Sequence, residues 1–291
     1  METLSMKLTT YVRRMRAIVG LTLLSLSAAW TQSLHVDSLF STALGRTMRY
    51  NVLLPRGHAP ERLWPGMLLL HGFAGNETNW TGFTKIQQFA RDIPLVIVMP
   101  QGNSAWYVNA KTGVSDRYED FVMRDLRNEM AGRFGVDTAQ LSIAGLSMGG
   151  YGSLLLALKH PRSFVFVAPL SSSLDIPMGI PELEQHGRQG MRPELERAFG
   201  KDSSGFWARN DPFTLASSID TTGAPFFYIA TGIQDEFKKR LEYHRSFVEI
   251  LRTRGFRYEY HETPGRHNWE YWGMEIESVL RKWQDVTGGI Q

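Results

Sequence analysis

The sequence predicts an α/β fold, a mostly parallel, doubly wound sheet with an antiparallel hairpin at its N-terminal edge. Three observations carry that expectation. Unbroken apolar runs such as Met67–Leu70, Leu95–Met99 and Leu141–Leu146 have strand length and no polar side, as strands buried on both faces do. Stretches of helical spacing separate these runs, which is the alternation of a parallel sheet. The residues with chemistry to offer, Ser147, Asp235 and His267, fall just after predicted strands, and ligands of open α/β sheets gather at the carboxyl ends of the strands.

In chain order, Leu34–Ser41 and Arg46–Leu54 alternate apolar and polar residues around Ala43-Leu44-Gly45 and read as the edge hairpin. Met67–Leu70 is a buried strand that runs straight into His71-Gly72-Phe73-Ala74-Gly75. A crossover helix is expected over Gly82–Arg91, where Phe83, Ile86, Phe89 and Ala90 recur at helical spacing, and Leu95–Met99 is the next buried strand. After Pro100 a polar loop carries Trp106-Tyr107, and a helix is expected from Tyr118 to Phe134. Leu141–Leu146 leads into GLSMGGYG and a helix ending at Lys159, before His160-Pro161. Phe164–Leu170 is a further strand. Residues 175–222 lose this regularity and read as an insertion at the strand ends, with short helices expected around Pro193–Phe199 and Ser203–Ala208. Pro225–Ala230 resumes the sheet, a helix covers Phe237–Thr253, Phe256–Glu262 is the last strand, and a final helix starts at Trp269.

The chain of 291 residues, 43% hydrophobic, suits one large catalytic domain over 30–291. Its first 29 residues read as a cleaved signal peptide. Lys7, Arg13, Arg14 and Arg16 precede an uncharged run of 13 residues, Ala17–Ala29, that ends in small residues and is short of the roughly 20 needed to span a bilayer. The expectation is a secreted or periplasmic protein with no stable membrane insertion after processing. That segment also holds a net charge of +3, the whole of the chain's +3, so the remainder is near neutral and gives no support for a nucleic-acid partner. The chain has no Cys, which excludes disulfides, thiolate catalysis and cysteine-bound metals.

In GLSMGGYG, Ser147 stands between glycines where a strand turns at once into a helix, a corner that throws its residue outward on a strained backbone. A serine hydroxyl needs a base to take its proton, and that base needs an acid to hold its tautomer. Of eight histidines, His267 lies on a Pro-Gly loop directly after the last strand, where it can reach across the strand ends. Asp235 follows a strand and completes the order Ser, Asp, His, with Glu236 its nearest rival. The charge developing on an attacked carbonyl needs fixed donors, for which the amides of Met148 and Phe73 are placed. His71 is expected to order the loop of Phe73 through its ring nitrogens.

Taken together and in this order, LLLHGFAGNETNW, IVMPQGNSAWY, IAGLSMGGYG, ATGIQDEF and HETPGRHNWEYW closely resemble the esterase branch of the α/β hydrolases. That branch includes tributyrin esterases, feruloyl esterases, S-formylglutathione hydrolases and mycolyltransferases. The likeness covers about Leu34 to Val286 and is nearest to the tributyrin-esterase and feruloyl-esterase-like members. It implies an α/β-hydrolase fold, Ser147 as nucleophile, Asp235 as acid, His267 as base, and Phe73 and Met148 as the oxyanion hole. The implied activity is serine carboxylesterase action on short-chain or carbohydrate-linked acyl esters of the acetyl, butyryl or feruloyl type, with no metal and no cofactor. Trp106, Trp207 and Trp269 are placed either to line a substrate pocket or to pack loops against the core. An acyltransferase would use the same acyl-enzyme with another alcohol in place of water. A hydrolase-fold protein that only binds its ligand would have no need of all three of Ser147, Asp235 and His267.

Overall fold

Eight strands build one sheet: β1 (Ser33–Ser41), β2 (Arg46–Leu54), β3 (Trp64–Leu70), β4 (Val96–Pro100), β5 (Val136–Leu146), β6 (Phe166–Leu170), β7 (Phe226–Gly232) and β8 (Tyr258–Thr263). They lie in the order β1-β2-β4-β3-β5-β6-β7-β8. The structure is a computed structural model and describes residues 31–113, 115–181, 189–201, 205–237 and 239–288. The expected export segment, residues 1–29, lies outside the described residues. Among the described residues no helix is long and apolar enough to cross a membrane.

The hairpin stands where expected. β1 and β2 pair antiparallel from Ser33↔Leu54 to Ser41↔Arg46, and β2 joins the sheet antiparallel to β4. All other neighbours are parallel, and this is the α/β-hydrolase arrangement. The unbroken apolar runs are explained by burial on both sides. Leu68, Leu70, Val96 and Val98 enter the core on one face, while Met67, Leu69, Ile97 and Met99 enter the core on the other. From β3 the chain steps to β4 on one side and then to β5 on the other, so the direction of winding switches between β3 and β5. Leu70 pairs with Gly145 there, and Leu146 pairs with Leu170. The loop after β3 and the corner after β5 therefore emerge side by side, at the kind of crevice where such sheets bind ligands.

Helices cover both faces: α1 (Asn79–Phe83), α2 (Ile86–Phe89), α3 (Arg127–Phe134), α4 (Met148–Lys159), α5 (Arg192–Phe199), α6 (Pro212–Ser218), α7 (Arg240–Arg254) and α8 (Trp269–Thr287). Three expectations are corrected. The crossover over Gly82–Arg91 is two short helices, because the Thr84 hydroxyl donates to Trp80 O at 2.5 Å and accepts from the Ile86 amide at 3.2 Å, closing one helix and opening the next. The run from Tyr118 to Phe134 passes through a π-helical turn, Phe121–Leu126, before α3. In the insertion α5 forms as expected; at Ser203–Ala208 the described residues 205–207 are turn leading into a single 3₁₀ turn, Ala208–Asn210, and the next α-helix stands at α6. Asp211 starts α6 there, its side chain accepting from the Thr214 amide at 2.9 Å with Pro212 at the first position.

Candidate active site

The corner between β5 and α4 holds Ser147 at φ +53°, a left-handed conformation that a residue with a side chain adopts only where its surroundings impose it. Here they do. Ser147 N donates to Leu170 O at 2.9 Å, and Ser147 O accepts from Tyr151 N at 2.9 Å. Two flanking glycines let the backbones close in. A Cβ on Gly145 would stand 2.4 Å from Gly149 O, and one on Gly149 would stand 2.6 Å from both Leu70 O and His71 O. The spacing of G-x-S-x-G is thus a packing requirement between the corner and the end of β3.

His267 approaches from the loop between β8 and α8. Its Nε2 lies 2.9 Å from Ser147 Oγ, and its Nδ1 lies 2.8 Å from Asp235 Oδ2. An ionised carboxylate only accepts, so Nδ1 carries the proton and donates to Asp235. Nε2 of the neutral ring is then free to accept the serine proton. The ring is held between two aromatic edges, Phe237 at 4.6 Å and Trp272 at 4.9 Å between centroids. Burial pushes the imidazole below its ordinary value. The hydrogen bond to Asp235 pulls the other way without restoring it, and the Arg240 charge adds to the lowering.

Asp235 has its side chain 1% exposed. Burial raises its carboxyl, but the hydrogen bond from His267 and the charge of Arg240 outweigh that, and it sits below the ordinary carboxylate value. Oδ1 accepts from Phe237 N at 3.0 Å, while Arg240 Nε approaches Oδ2 at 3.3 Å. Glu236, the rival acid, faces elsewhere. Its Oε2 accepts from the His267 amide at 3.1 Å and its Oε1 from Arg266 at 3.2 Å, so it clasps the backbone of the histidine loop. Ile233 N to Thr263 O and Gln234 N to Gly265 O, both 2.9 Å, tie the two loops together.

The loop after β3 lies against the serine: a Cβ on Gly72 would be 3.6 Å from Ser147 Cβ. Among the described residues no acceptor takes the amide of Phe73 or that of Met148, the first residue of α4. His71 is buried and orders this loop. Its Nε2 accepts from Gly102 N at 2.8 Å, so Nδ1 carries the proton and donates to Gly72 O at 2.7 Å. Burial lowers this histidine to about 4, which keeps it neutral.

The three tryptophans are not brought together. Trp106 is wholly buried at φ +60° and packs under the loop after β3, on Phe73, Tyr151 and Phe199. Trp207 donates to Phe199 O at 3.2 Å and fastens the end of α5. Trp269 packs on Trp80, Phe83 and Trp272, backing the ring that holds His267. Sequence reasoning passes over Arg240, Phe237 and Trp272. Nothing in the charged run EFKKR marks Arg240 apart from its lysine neighbours, and aromatic residues at a helix start read as ordinary core.

Known proteins share this framework. An acetyl esterase of Caldicellulosiruptor saccharolyticus is 27% identical over 227 residues, covering 76% of this chain and 84% of its own length. A diacylglycerol acyltransferase/mycolyltransferase Ag85B of Mycobacterium intracellulare is 25% identical over 262 residues, covering 77% and 76%. The solved structure of FphF, a fluorophosphonate-binding serine hydrolase of Staphylococcus aureus, superposes with a TM-score of 0.73 at 24% identity over 87% of this chain and 98% of its own, which shows a shared fold. Residues 41–282 match the family described as "Putative esterase", and the chain belongs to that esterase family.

Proposed function

We propose that the protein is a serine carboxylesterase whose nucleophile is Ser147. The observation that carries this reading is the single imidazole of His267 bridging Ser147 Oγ at 2.9 Å and Asp235 at 2.8 Å. Ser147 Oγ attacks the ester carbonyl as His267 Nε2 takes its proton. The amides of Phe73 and Met148 receive the oxyanion. Collapse expels the alcohol, which leaves with the proton from His267. Water then attacks the acyl-enzyme with the same imidazole as base, and the acid and free serine are released. Asp235 keeps the ring in the required tautomer throughout.

Short acyl groups are the favoured substrates, an assignment supported by the acetyl esterase relative. Transfer to an alcohol other than water is the second reading, favoured by the mycolyltransferase relative. The charge and apolar pattern of residues 1–29 supports export to the periplasm or exterior. The test is a panel of p-nitrophenyl acetate, p-nitrophenyl butyrate, longer-chain esters and methyl ferulate, with and without added alcohol. Free acid as the main product supports the esterase, and an alcohol-dependent new ester supports the transferase. Full hydrolysis by Ser147→Ala would remove the assignment.

A further inference from the structure

The sheet ends at β1 in an edge that the described residues leave open. β1 holds an unbroken register with β2 over all nine of its residues and has no described strand on its other side. Natural edges are commonly blunted by proline, lysine or a bulge, and Ser33–Ser41, which reads SLHVDSLFS, has none of the three. Instead it exposes two large apolar side chains, Val36 at 61% and Phe40 at 64%. We propose that this edge is a homodimer interface, in which a second copy of the chain adds its own β1 antiparallel about a two-fold axis at Ser38.

Backbone direction fixes which groups the edge offers. In an antiparallel pair, alternate residues turn their N–H and C=O toward the partner strand and away from it. Arg49 O accepts from Gln101 N at 2.9 Å, so Arg49 faces the β4 side, and Ser38, its partner across the hairpin, turns its own N–H and C=O outward. Val36 and Phe40, two residues to either side, do the same. The Ser38 amide meanwhile donates to the Asp37 carboxylate at 2.7 Å, a local substitute for a strand partner. With the axis at Ser38, that residue meets its own counterpart, and Val36 of each copy meets Phe40 of the other. All of these meetings are hydrogen-bonded pairs, because the groups that face outward are those of the same alternate set.

The side chains select a second copy rather than an unrelated strand. The pairing sets each Val36 against a Phe40, a β-branched residue against an aromatic, and gathers all four on one face of the joined sheet. On the opposite face His35 meets Ser41 and Asp37 meets Leu39, so no like charges stand opposed. The charged side chains beside that face are already neutralised within each copy, Arg124 by Asp125 at 2.9 Å, and Arg133 by Asp37 and by Glu129, the latter at 3.2 Å. Two copies can therefore approach without repulsion. A strand of another protein would meet the same exposed Val36 and Phe40, but no symmetry would supply the residues that complement them. β1 lies four strands from β5, about 19 Å away, so the interface leaves Ser147 untouched.

Sedimentation equilibrium over a concentration series, with thermal unfolding run alongside, compares wild type with Phe40→Lys. Wild type is expected to reach the mass of two chains, and Phe40→Lys to fold normally while its dimer dissociation constant rises at least about tenfold. The register is read with thiols, since the chain has no Cys of its own. Under mild oxidation Ser38→Cys should form a covalent dimer, because the Cα atoms of such a pair stand about 5.5 Å apart, within the span of a disulfide. Val36→Cys should not, because its counterpart in the second copy lies about four residues further along, roughly 14 Å away. A wild type that stays monomeric, whether its edge is open or covered by residues 1–30, overturns the interface. So does a dimer indifferent to Phe40→Lys, or one in which Val36→Cys links as readily as Ser38→Cys.

Discussion

Asp235 Oδ2 faces two cationic or proton-donating partners at once, His267 Nδ1 at 2.8 Å and Arg240 Nε at 3.3 Å. The arginine keeps the carboxylate ionised and, by adding positive charge nearby, opposes protonation of the imidazole. Arg240→Met is therefore expected to raise the apparent pKa of His267, since Asp235 and Glu236 would then act on it against burial without that nearby positive charge. Because the base must be neutral, rate is lost as pH falls through that pKa. The acidic limb of the kcat/KM profile should accordingly move to higher pH, and an unmoved limb would show that Arg240 has no such influence. The pair is buried, with side chains 4% and 1% exposed, so breaking it should also cost on the order of 3 kcal/mol of stability by denaturant titration. Asp235→Asn should lower kcat about 10³–10⁴-fold by offering Nδ1 the wrong tautomer, whereas Glu236→Gln should cost far less, as it holds only backbone and Arg266. Steady-state assays of the two variants check this ordering. Ser147 and His267 were legible because each sits on a loop directly after a strand. Arg240 was not, since its partner is set by where α7 begins, and Arg240 N to Phe237 O at 2.8 Å is a tertiary detail of that start.

At the scale of elements, the corner depends on backbone approach rather than on side-chain chemistry. A methyl on Gly149 would press on backbone, with the carbonyl oxygens of Leu70 and His71 each at 2.6 Å, and these belong to the strand end that leads into the Phe73 loop. Gly149→Ala should thus reduce kcat sharply and destabilise by about 1–3 kcal/mol. Normal turnover in a folded Gly149→Ala would contradict the packing account. The strand and corner are written locally, in an apolar run followed by small residues. The broken crossover at Thr84 is less legible, because a helical pattern in Gly82–Arg91 cannot show that the Thr84 hydroxyl terminates one helix and starts the next. The insertion is harder still. Its helix α6 is set by Asp211 and Pro212, while its docking joins groups far apart in the sequence: Lys111 N to Ala198 O, the Thr112 hydroxyl to Arg197 O, and the Tyr151 hydroxyl to Asn210 O.

For the whole molecule, two buried histidines tie the strand-end loops to the body. His71 bonds Gly102 N, and His244 Nε2 accepts from Ser172 N at 3.2 Å while its Nδ1 donates to Arg240 O at 2.8 Å. Burial lowers both from 6.5 to about 4. Between those values the unfolded chain takes up protons that the folded chain refuses, so their contribution is complete above pH 6.5 and is lost as pH falls toward 4. The thermal midpoint should decline across that window, and His244→Asn should flatten the decline. A flat profile in wild type would mean that neither ring is held neutral. The sheet as a whole was readable from its doubly buried apolar runs.

The central claim is that Ser147 is the activated nucleophile. Labelling with a fluorophosphonate, followed by peptide mapping of wild type, Ser147→Ala and His267→Ala, tests it most directly. The account predicts stoichiometric label on the Ser147 peptide in wild type, none in Ser147→Ala, and strongly slowed labelling in His267→Ala. No label on wild type, or equal label on Ser147→Ala, would contradict it.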